Sequence, residues 1–252
     1  DGSFVIKFNA VPDNNIPEET EPTFVYTINA DITDGSGETR SDNTQLQVGY
    51  TSLSATMNTE AWQTTDKPVE FKITTQSLSG VPEVARGQLT IHSLKQPEKV
   101  IRTRLIPSSS TSEKNKVINE NPETWPLGEV ASSLELTTDE KGEAIAKTKL
   151  KAGVYRAPFE TQDRFGKPVK AIQAITVLDT QAKHLAIRVP QIVSSEKRNI
   201  EPGEMFRMIW GTGYDKGRTF IELEHRNKII KRYWTQPGLT QHLFEMPVEE
   251  KQ

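Results

Sequence analysis

The sequence predicts an all-β chain of tandem antiparallel β-sandwich domains, and three observations lead to this fold class. Short alternating or β-branched runs, bounded by Gly, Pro, Asn and Asp, recur roughly every 8–12 residues. Only 34% of the residues are hydrophobic, which suits sheets that bury alternate side chains and keep one face in water. One two-strand pattern also occurs twice, and no stretch of ten residues holds a helical period.

The repeated pattern is a predicted β-hairpin. The first copy reads YTINADITDGSGETRSDNTQLQV from Tyr26, and the second reads YRAPFETQDRFGKPVKAIQAITV from Tyr155, an offset of 129 positions. Each copy has an alternating run, an Asp-x-x-Gly turn and a second alternating run. The Asp side chain is expected to cap its own turn, and Gly37 and Gly166 are expected at positive φ.

Weaker echoes extend the repeat and set the expected domain boundaries. Residues 1–8 resemble 141–148, residues 68–73 resemble 202–208, and residues 87–91 resemble 217–221. We therefore expect residues 1–50 to be the C-terminal half of a sandwich, 51–180 a complete sandwich, and 181–252 the N-terminal part of another. On this interpretation the chain is an excerpt from a longer protein.

The individual strands follow from the alternation. Predicted strands are residues 3–9, 24–32, 44–50, 53–57, 69–75, 87–93, 99–106, 129–136, 143–149, 153–160, 170–178, 184–189, 204–210, 218–224 and 227–234. Residues 139–142 and 226–227 are predicted hairpin turns. Residues 107–123 are rich in Ser and Asn and end in prolines, so they are predicted to form a mobile loop inserted in the central sandwich.

Composition argues against several functions. The net charge is −3 without a basic stripe, so nucleic acid is not an expected partner. The apolar runs are too short for a membrane span. The chain has no cysteine, which excludes disulfides, a thiol nucleophile and cysteine-ligated metal within it.

Candidate site residues are weighed against simpler roles, and we predict no catalytic, cofactor-binding or metal residue. The four histidines, His92, His184, His225 and His242, are isolated in the sequence. Asp34 and Asp163 lack the spacing of a calcium loop. Gly211-Thr212-Gly213 has no following helix, so a strand-end bulge is expected there rather than a nucleotide site.

The four tryptophans allow two interpretations. Trp62 and Trp125 flank turns and are expected to cover strand ends, whereas Trp210 and Trp234 lie in alternating runs and are expected in sandwich cores. The alternative is an exposed aromatic platform that binds sugars. Trp62 and Trp125 lying side by side in a groove would favour that alternative.

The first hairpin carries a family resemblance. Residues 26–41, YTINADITDGSGETRS, resemble the end of a macroglobulin domain, and the second hairpin is similar, with Gln162-Asp163 in place of Thr-Asp. The bacterial α2-macroglobulin family that this resemblance indicates implies tandem immunoglobulin-like sandwiches in a large extracytoplasmic protein, periplasmic or anchored to the outer membrane. Its members trap proteases, and some capture them through a thioester that needs a Cys, which this chain lacks.

The resemblance therefore implies a scaffold segment of a broad-spectrum endopeptidase inhibitor, without enzymatic activity or cofactor of its own. Its expected partners are neighbouring domains of the same chain, with proteases as targets of the whole protein. The alternative function is an adhesive or carbohydrate-binding module of a bacterial surface protein. An enzyme domain is the third class, and the motif search gives it no support.

Overall fold

A computed structural model describes residues 5, 7–11, 13, 15–17, 22–102 and 121–249. These residues form fifteen strands and a single 3₁₀ turn, Pro122–Thr124, with no α-helix among them. The strand pairs are antiparallel except for a two-residue parallel contact. The predicted all-β fold class of antiparallel sandwich sheets is confirmed. In the described part of the chain no helix is long and apolar enough to cross a membrane.

The first two strands form an isolated hairpin. Strands β1 (Thr23–Thr33) and β2 (Thr39–Gly49) pair along their whole length. Alternate side chains of β1, including Phe24, Tyr26 and Ile28, are half-buried on one face, while the intervening residues are exposed. The ring of Phe8 lies 5.4 Å from that of Tyr26. We call residues 23–49 the N-terminal hairpin.

Residues 53–178 form the central unit, a sandwich of two sheets. Its strands are β3 (Leu53–Asn58), β4 (Gln63–Thr64), β5 (Val69–Ser77), β6 (Arg86–Leu94), β7 (Leu127–Thr137), β8 (Glu143–Thr148), β9 (Gly153–Gln162) and β10 (Pro168–Leu178). The sheets have the orders β3-β5-β8 and β4-β10-β9-β6-β7. Between them lies a core whose fully buried members are Val69, Phe71, Ile73, Leu89, Ile91, Ala157, Phe159 and Val177. Burying each large apolar side chain contributes roughly 1.5–3 kcal/mol.

Residues 192–247 form the C-terminal unit. Its strands are β11 (Ile192–Ser195), β12 (Met205–Gly211), β13 (Phe220–His225), β14 (Lys228–Trp234) and β15 (Gln241–Pro247). Strands β11, β12 and β15 make one sheet, and β13 and β14 pair as a hairpin. Arg226 and Asn227 both have positive φ, as a two-residue hairpin turn requires, so the turn predicted there is confirmed.

Three Asp-x-x-Gly turns share one geometry. In each, the Gly N–H donates to the Asp carbonyl, and the Asp N–H donates to the carbonyl one residue beyond the Gly. The predicted positive φ is confirmed, at 87° for Gly37 and 79° for Gly166. Gly142 closes the third turn at 71°. That turn, predicted as a hairpin turn, instead joins β7 and β8, which lie in different sheets.

Several strand predictions are wrong. Residues 184–189 form bends, because Ile187 and Val189 turn into an apolar cluster rather than entering a sheet. Residues 7–9 and 99–102 are not strands, and the rest of the predicted strands 3–9 and 99–106 lies outside the described residues. Strands β4, β11 and β15 were not predicted, because each is short or lacks clear alternation.

The mobile loop predicted at residues 107–123 falls almost wholly outside the described residues, and 122–123 belong to the 3₁₀ turn. The domain boundaries at 50 and 180 stay a prediction.

Candidate functional site: the junctions between the units

The most developed contact outside the sandwich core joins the central and C-terminal units. Its buried apolar residues come from both units and from the linker between them: Leu94, Trp125, Val154, Leu178, Ile187, Val189 and Ile209. Trp62, Leu185, Ile192 and Leu243 pack against them. We call these eleven residues the junction cluster. The junction cluster is thus a second hydrophobic core, separate from the core of the central sandwich.

Trp125 is the largest of the buried residues in the junction cluster, and its side chain is fully buried. The 3₁₀ turn positions this side chain. Asn121 caps the turn by accepting a hydrogen bond from the Glu123 N–H at 3.0 Å, and the Trp125 N–H donates to the Pro122 carbonyl at 3.0 Å. The Arg156 guanidinium on β9 donates to the carbonyls of Glu123 and, at 3.2 Å, Trp125. A charge-assisted donor thus holds the turn against the sheet.

The Gln96 side chain forms hydrogen bonds with the backbone of residues 186–188, in the linker that joins the two units, as a neighbouring strand would. Its Nε2 donates to the Ala186 carbonyl at 3.1 Å, and its Oε1 accepts from the Arg188 N–H at 2.7 Å. The Arg188 guanidinium returns to the central unit by donating to the Glu98 carbonyl at 2.5 Å. The linker backbone is therefore tied down even though it forms no strand.

The Gly211-Thr212-Gly213 segment is part of the same junction. The Gly213 N–H donates to the Val189 carbonyl at 2.8 Å, and Thr212 Oγ1 donates to the Pro190 carbonyl at 2.6 Å. A Cβ at Gly213 would lie 2.5 Å from the Ile187 carbonyl oxygen, so only glycine fits. The predicted bulge is wrong, because β12 pairs with β15 without a break from 205 to 211.

A second, polar contact connects Asp163 of the central unit to Ser52, in the short segment between the N-terminal hairpin and β3. Asp163 is buried, and its Oδ2 accepts from the Ser52 N–H at 2.9 Å and from Ser52 Oγ at 3.2 Å. Its Oδ1 accepts from the N–H groups of Phe165 and Lys167 at 2.9 Å each. The Ser52 N–H, together with those of Lys167 and Phe165, lowers the pKa of this carboxyl from 3.8 to about 2.

Asp34 occupies the equivalent position in the N-terminal hairpin, but in the described part of the chain it has no such second contact. Its Oδ1 accepts from the Ser36 N–H, Ser36 Oγ and the Glu38 N–H at 2.8, 2.6 and 3.0 Å. The Ser36 hydroxyl, with these N–H groups, lowers the pKa of Asp34. Both aspartates thus cap their own turns through Oδ1. No group of His, Asp or Glu suited to a metal ion occurs within the described residues.

We predict that Asp163→Asn destabilises the chain while Asp34→Asn has almost no effect. An asparagine keeps the Oδ1 bonds of the turn, but at position 163 its NH₂ would face the Ser52 donors. Because folding lowers the pKa of Asp163, its stabilisation is present above about pH 4 and is lost as the pH falls towards 2. Thermal melts across this range measure the effect. Equal melting temperatures for the two variants at neutral pH would contradict the bond to Ser52.

The histidines occupy separate environments. His92 lies on β6, and its buried Nδ1 has no hydrogen-bond partner among the described residues. His184 Nδ1 lies 3.4 Å from Thr240 Oγ1, and His225 ends β13. His242 contacts the Tyr233 ring at 6.4 Å, and burial lowers its pKa. The structure does not bring these four side chains together.

The tryptophans do not form the aromatic platform. Trp125 is fully buried, and Trp62 is half-buried against the same cluster, so both cover the end of the central unit as expected. Trp62 also borders an open cleft of about 640 Å³ with Glu60, Glu70, Glu196 and Lys197. Trp210 is half-buried, but the core position predicted for Trp234 is wrong, because its side chain is 54% exposed.

The residues that form the junction between the central and C-terminal units gave little signal in the sequence. Gln96, Arg188 and Val189 lie in runs without a motif, and their roles depend on contacts between segments about ninety positions apart. The paired glycines at 211 and 213 were the one local signal, because close backbone approach requires glycine.

Comparison with known proteins gives structural likeness alone. No protein-family description matches the chain, and no curated protein matches it. Among solved structures, it is similar to trypsin-activated α2-macroglobulin from Escherichia coli, with 13% identity, 91% of this chain and 21% of that chain covered, and a TM-score of 0.33.

Two further structures are similar at the same level. A Salmonella α2-macroglobulin reacted with methylamine matches at 10% identity and a TM-score of 0.33, covering 90% of this chain and 14% of that one. A tetra-tandem repeat from the extending region of a large adhesion protein matches at 14% identity and a TM-score of 0.31. The match covers 90% of this chain and 49% of that one. The chain thus spans less than half of each relative, and such low scores carry no conclusion about activity.

Proposed function

We propose that this chain is a structural segment that holds successive β-domains at a fixed angle within a larger protein, without catalytic activity of its own. The observation that carries the proposal is the junction cluster. Neighbouring domains on a short linker ordinarily move relative to one another unless a large apolar interface joins them. Here the linker's own side chains, Ile187 and Val189, are buried in that interface.

Hydrogen bonds add direction to the apolar contact. Gln96 fixes the linker from the side of the central unit, and Gln241 Nε2 fixes it from the C-terminal unit by donating to the carbonyls of Asp179 and Ala182 at 2.5 and 3.1 Å. Apolar packing alone tolerates sliding, whereas hydrogen bonds require particular distances and angles. Together they favour one orientation between the units.

The finer proposal is a scaffold segment of a bacterial α2-macroglobulin-like protease trap, located outside the cytoplasm in the periplasm or at the outer membrane. It is supported by the resemblance of the two hairpins and by their repetition along one chain. Because the chain has no cysteine, thioester capture of a protease would belong to other parts of the protein. The partners of this segment would then be the adjacent domains, and proteases would be targets of the whole assembly.

The adhesive or carbohydrate-binding alternative depended on a tryptophan pair. The full burial of Trp125 removes one member of that pair, and the cleft beside Trp62 contains a single aromatic ring. One ring without a second stacking face is a weak sugar platform. We therefore favour the scaffold.

Rigidity is tested by distance measurements between spin labels. The absence of cysteine allows two labels to be attached cleanly, at Lys72→Cys on the central unit and Glu222→Cys on the C-terminal unit, both exposed. We expect double electron–electron resonance to give one narrow distance distribution. Gln96→Ala should broaden it, because the linker loses both side-chain bonds.

The matched control is Gln88→Ala, which removes an exposed glutamine on β6 whose side chain donates to Ser133 Oγ on β7, away from the linker. Its distribution should equal that of the unmodified sequence. A broad distribution before any substitution would show that the units move freely, and the scaffold proposal would then be wrong.

A further inference from the structure

One edge of the larger sheet in the central unit has no neighbouring strand. Strand β7 is the last strand in the order β4-β10-β9-β6-β7, and among the described strands it pairs with β6 alone. It is 11 residues long, whereas β4 at the other edge of this sheet has only 2. Both strands lie inside the central unit, away from the two ends of the chain. A long unpaired edge is a template for a further strand.

The backbone groups that face outward from β7 can be assigned from its pairing. The ladder between β6 and β7 is regular over residues 132–137. At the end of this ladder the Thr138 N–H donates to the Ala85 carbonyl at 3.0 Å, on the side of β6. Because the bonding direction alternates along a strand, Ser133 and Glu135 direct their N–H and C=O groups away from β6. These groups form the open edge.

This edge lacks the residues that usually prevent a new strand from pairing. Strand β7 contains no Lys, Arg or Pro, although these are common protective residues at sheet edges. Its charged residues are Glu129 and Glu135, and Arg86 on β6 binds Glu135 at 2.8 Å. The irregular pairing with β6 lies before Ser132, so the second half of β7 is a straight template.

The polar residues of this half are complementary to a second copy of the same strand. Two copies that pair antiparallel about Leu134 place Ser133 of each opposite the partner's Glu135. Ser133 Oγ already accepts from Gln88 Nε2 at 3.0 Å, so its O–H can donate to that carboxylate. A centre at Glu135 would place two carboxylates directly opposite each other, which is destabilising. A centre at Ser133 would extend the new ladder into the irregular residues before Ser132.

Two leucines on the inner face of β7 add an apolar contribution. Leu134 and Leu136 are half-buried and pack against the core of the central unit. In the paired arrangement Leu134 faces the partner's Leu134, and Leu136 faces the partner's Ser132. The two five-stranded sheets then become one continuous sheet, and apolar surface of these leucines that is now exposed is removed from water.

We propose that two copies of this chain form a closed dimer by pairing their β7 strands antiparallel about Leu134. The contact is isologous, because both copies use the same residues, 132–136, and association therefore stops at two copies. It lies on the side of the central unit and uses no residue of the junction cluster. The dimer is thus independent of the scaffold role proposed for the junction.

Sedimentation velocity of the full chain tests the dimer. The mean mass should rise with protein concentration and level off at twice the monomer mass. Ser133→Pro removes an N–H that the new ladder requires but that β6 does not use, so it should weaken association by about tenfold or more. Ser133→Thr keeps both the N–H and the hydroxyl, and it should change the association by less than about threefold.

Circular dichroism checks that both variants are folded. A monomer at every concentration would exclude the dimer, and growth beyond two copies would exclude a closed contact. Equal association of the proline and threonine variants would show that the edge of β7 is not used.

Cysteine cross-linking tests the register in a chain that has no cysteine of its own. Ser133→Cys and Glu135→Cys are made as separate single variants. When they are mixed and mildly oxidised, they should form an intermolecular disulfide, because their Cα atoms would lie about 5.5 Å apart. Each variant alone should give none, since two copies of the same thiol would lie diagonally, roughly 7–8 Å apart.

The control mixture is Ser133→Cys with Gln88→Cys. Gln88 is exposed and lies opposite Glu135 on β6, one strand further from the contact, so this mixture should not cross-link. Cross-linking of Glu135→Cys with itself would mean a different register, and equal cross-linking of the two mixtures would mean random collision. Either result, or no cross-linking in any mixture, overturns the proposal.

Discussion

Replacing Trp125 with alanine is expected to lower the free energy of unfolding by about 3–5 kcal/mol. The side chain is fully buried, and it belongs to an apolar cluster whose members come from segments that lie far apart in the sequence. Removing it leaves a cavity that the sheets cannot close without breaking the bonds from Arg156 to the turn. Denaturant unfolding followed by circular dichroism measures the loss.

Trp234→Ala is the matched control. This indole is 54% exposed, packs on Phe220 at 5.2 Å between ring centroids and carries the Arg218 guanidinium at 4.4 Å. Its removal should cost less than about 1 kcal/mol, as expected for surface contacts of this kind. If the two variants are equally stable, Trp125 is not the centre of the junction.

The substitution at Trp125 should also separate the units. Because the junction cluster includes residues of both, its loss should let the C-terminal unit unfold before the central unit. Two transitions in the variant, against one in the unmodified chain, would show that the junction couples their folding. A single transition at a lower denaturant concentration would mean that contacts other than Trp125 couple the folding of the two units.

The turns show which part of the fold the sequence predicts well. An Asp-x-x-Gly turn is closed by its own residues, so positive φ at Gly37 and Gly166 follows from local chemistry and is found. At Gly142 the sequence predicted the turn and a strand on either side of it, but not that the two strands lie in different sheets. Whether a turn connects strands of one sheet or of two depends on the packing of both sheets, which the local sequence does not contain.

The junction shows where sequence reasoning fails. Trp125 and Trp234 are the same residue type, and alternation favoured Trp234 as the buried one, yet the structure has the reverse. Strand β14 belongs to a two-stranded hairpin with an open outer face, while Trp125 is carried inward by a 3₁₀ turn. Likewise, the alternating residues 184–189 form no strand, because Ile187 and Val189 are buried in the junction cluster, and Gln96 supplies two of the hydrogen bonds that a neighbouring strand would supply.

Gly142→Ala is the second substitution with a large expected effect on stability, and Gly166→Ala is its matched control. Alanine at Gly166 meets no atom within 4 Å, so it should cost only the strain of positive φ, about 1–2 kcal/mol. Alanine at Gly142 adds a Cβ 2.1 Å from the Thr75 carbonyl oxygen. This approach is close because the Thr75 N–H donates to the Gly142 carbonyl at 2.8 Å.

Gly142→Ala should therefore cost roughly 3–5 kcal/mol, since backbone strain and overpacking add. Relieving the overlap moves β5 away from the turn and disturbs the buried Thr75 hydroxyl, which bonds the Glu83 carbonyl at 2.6 Å and Thr138 Oγ1 at 2.7 Å. Chemical unfolding of Gly142→Ala and Gly166→Ala under one condition gives the comparison. A difference below about 1 kcal/mol would mean that the turn shifts freely, and that its contact with β5 does not fix how the two sheets of the central unit join.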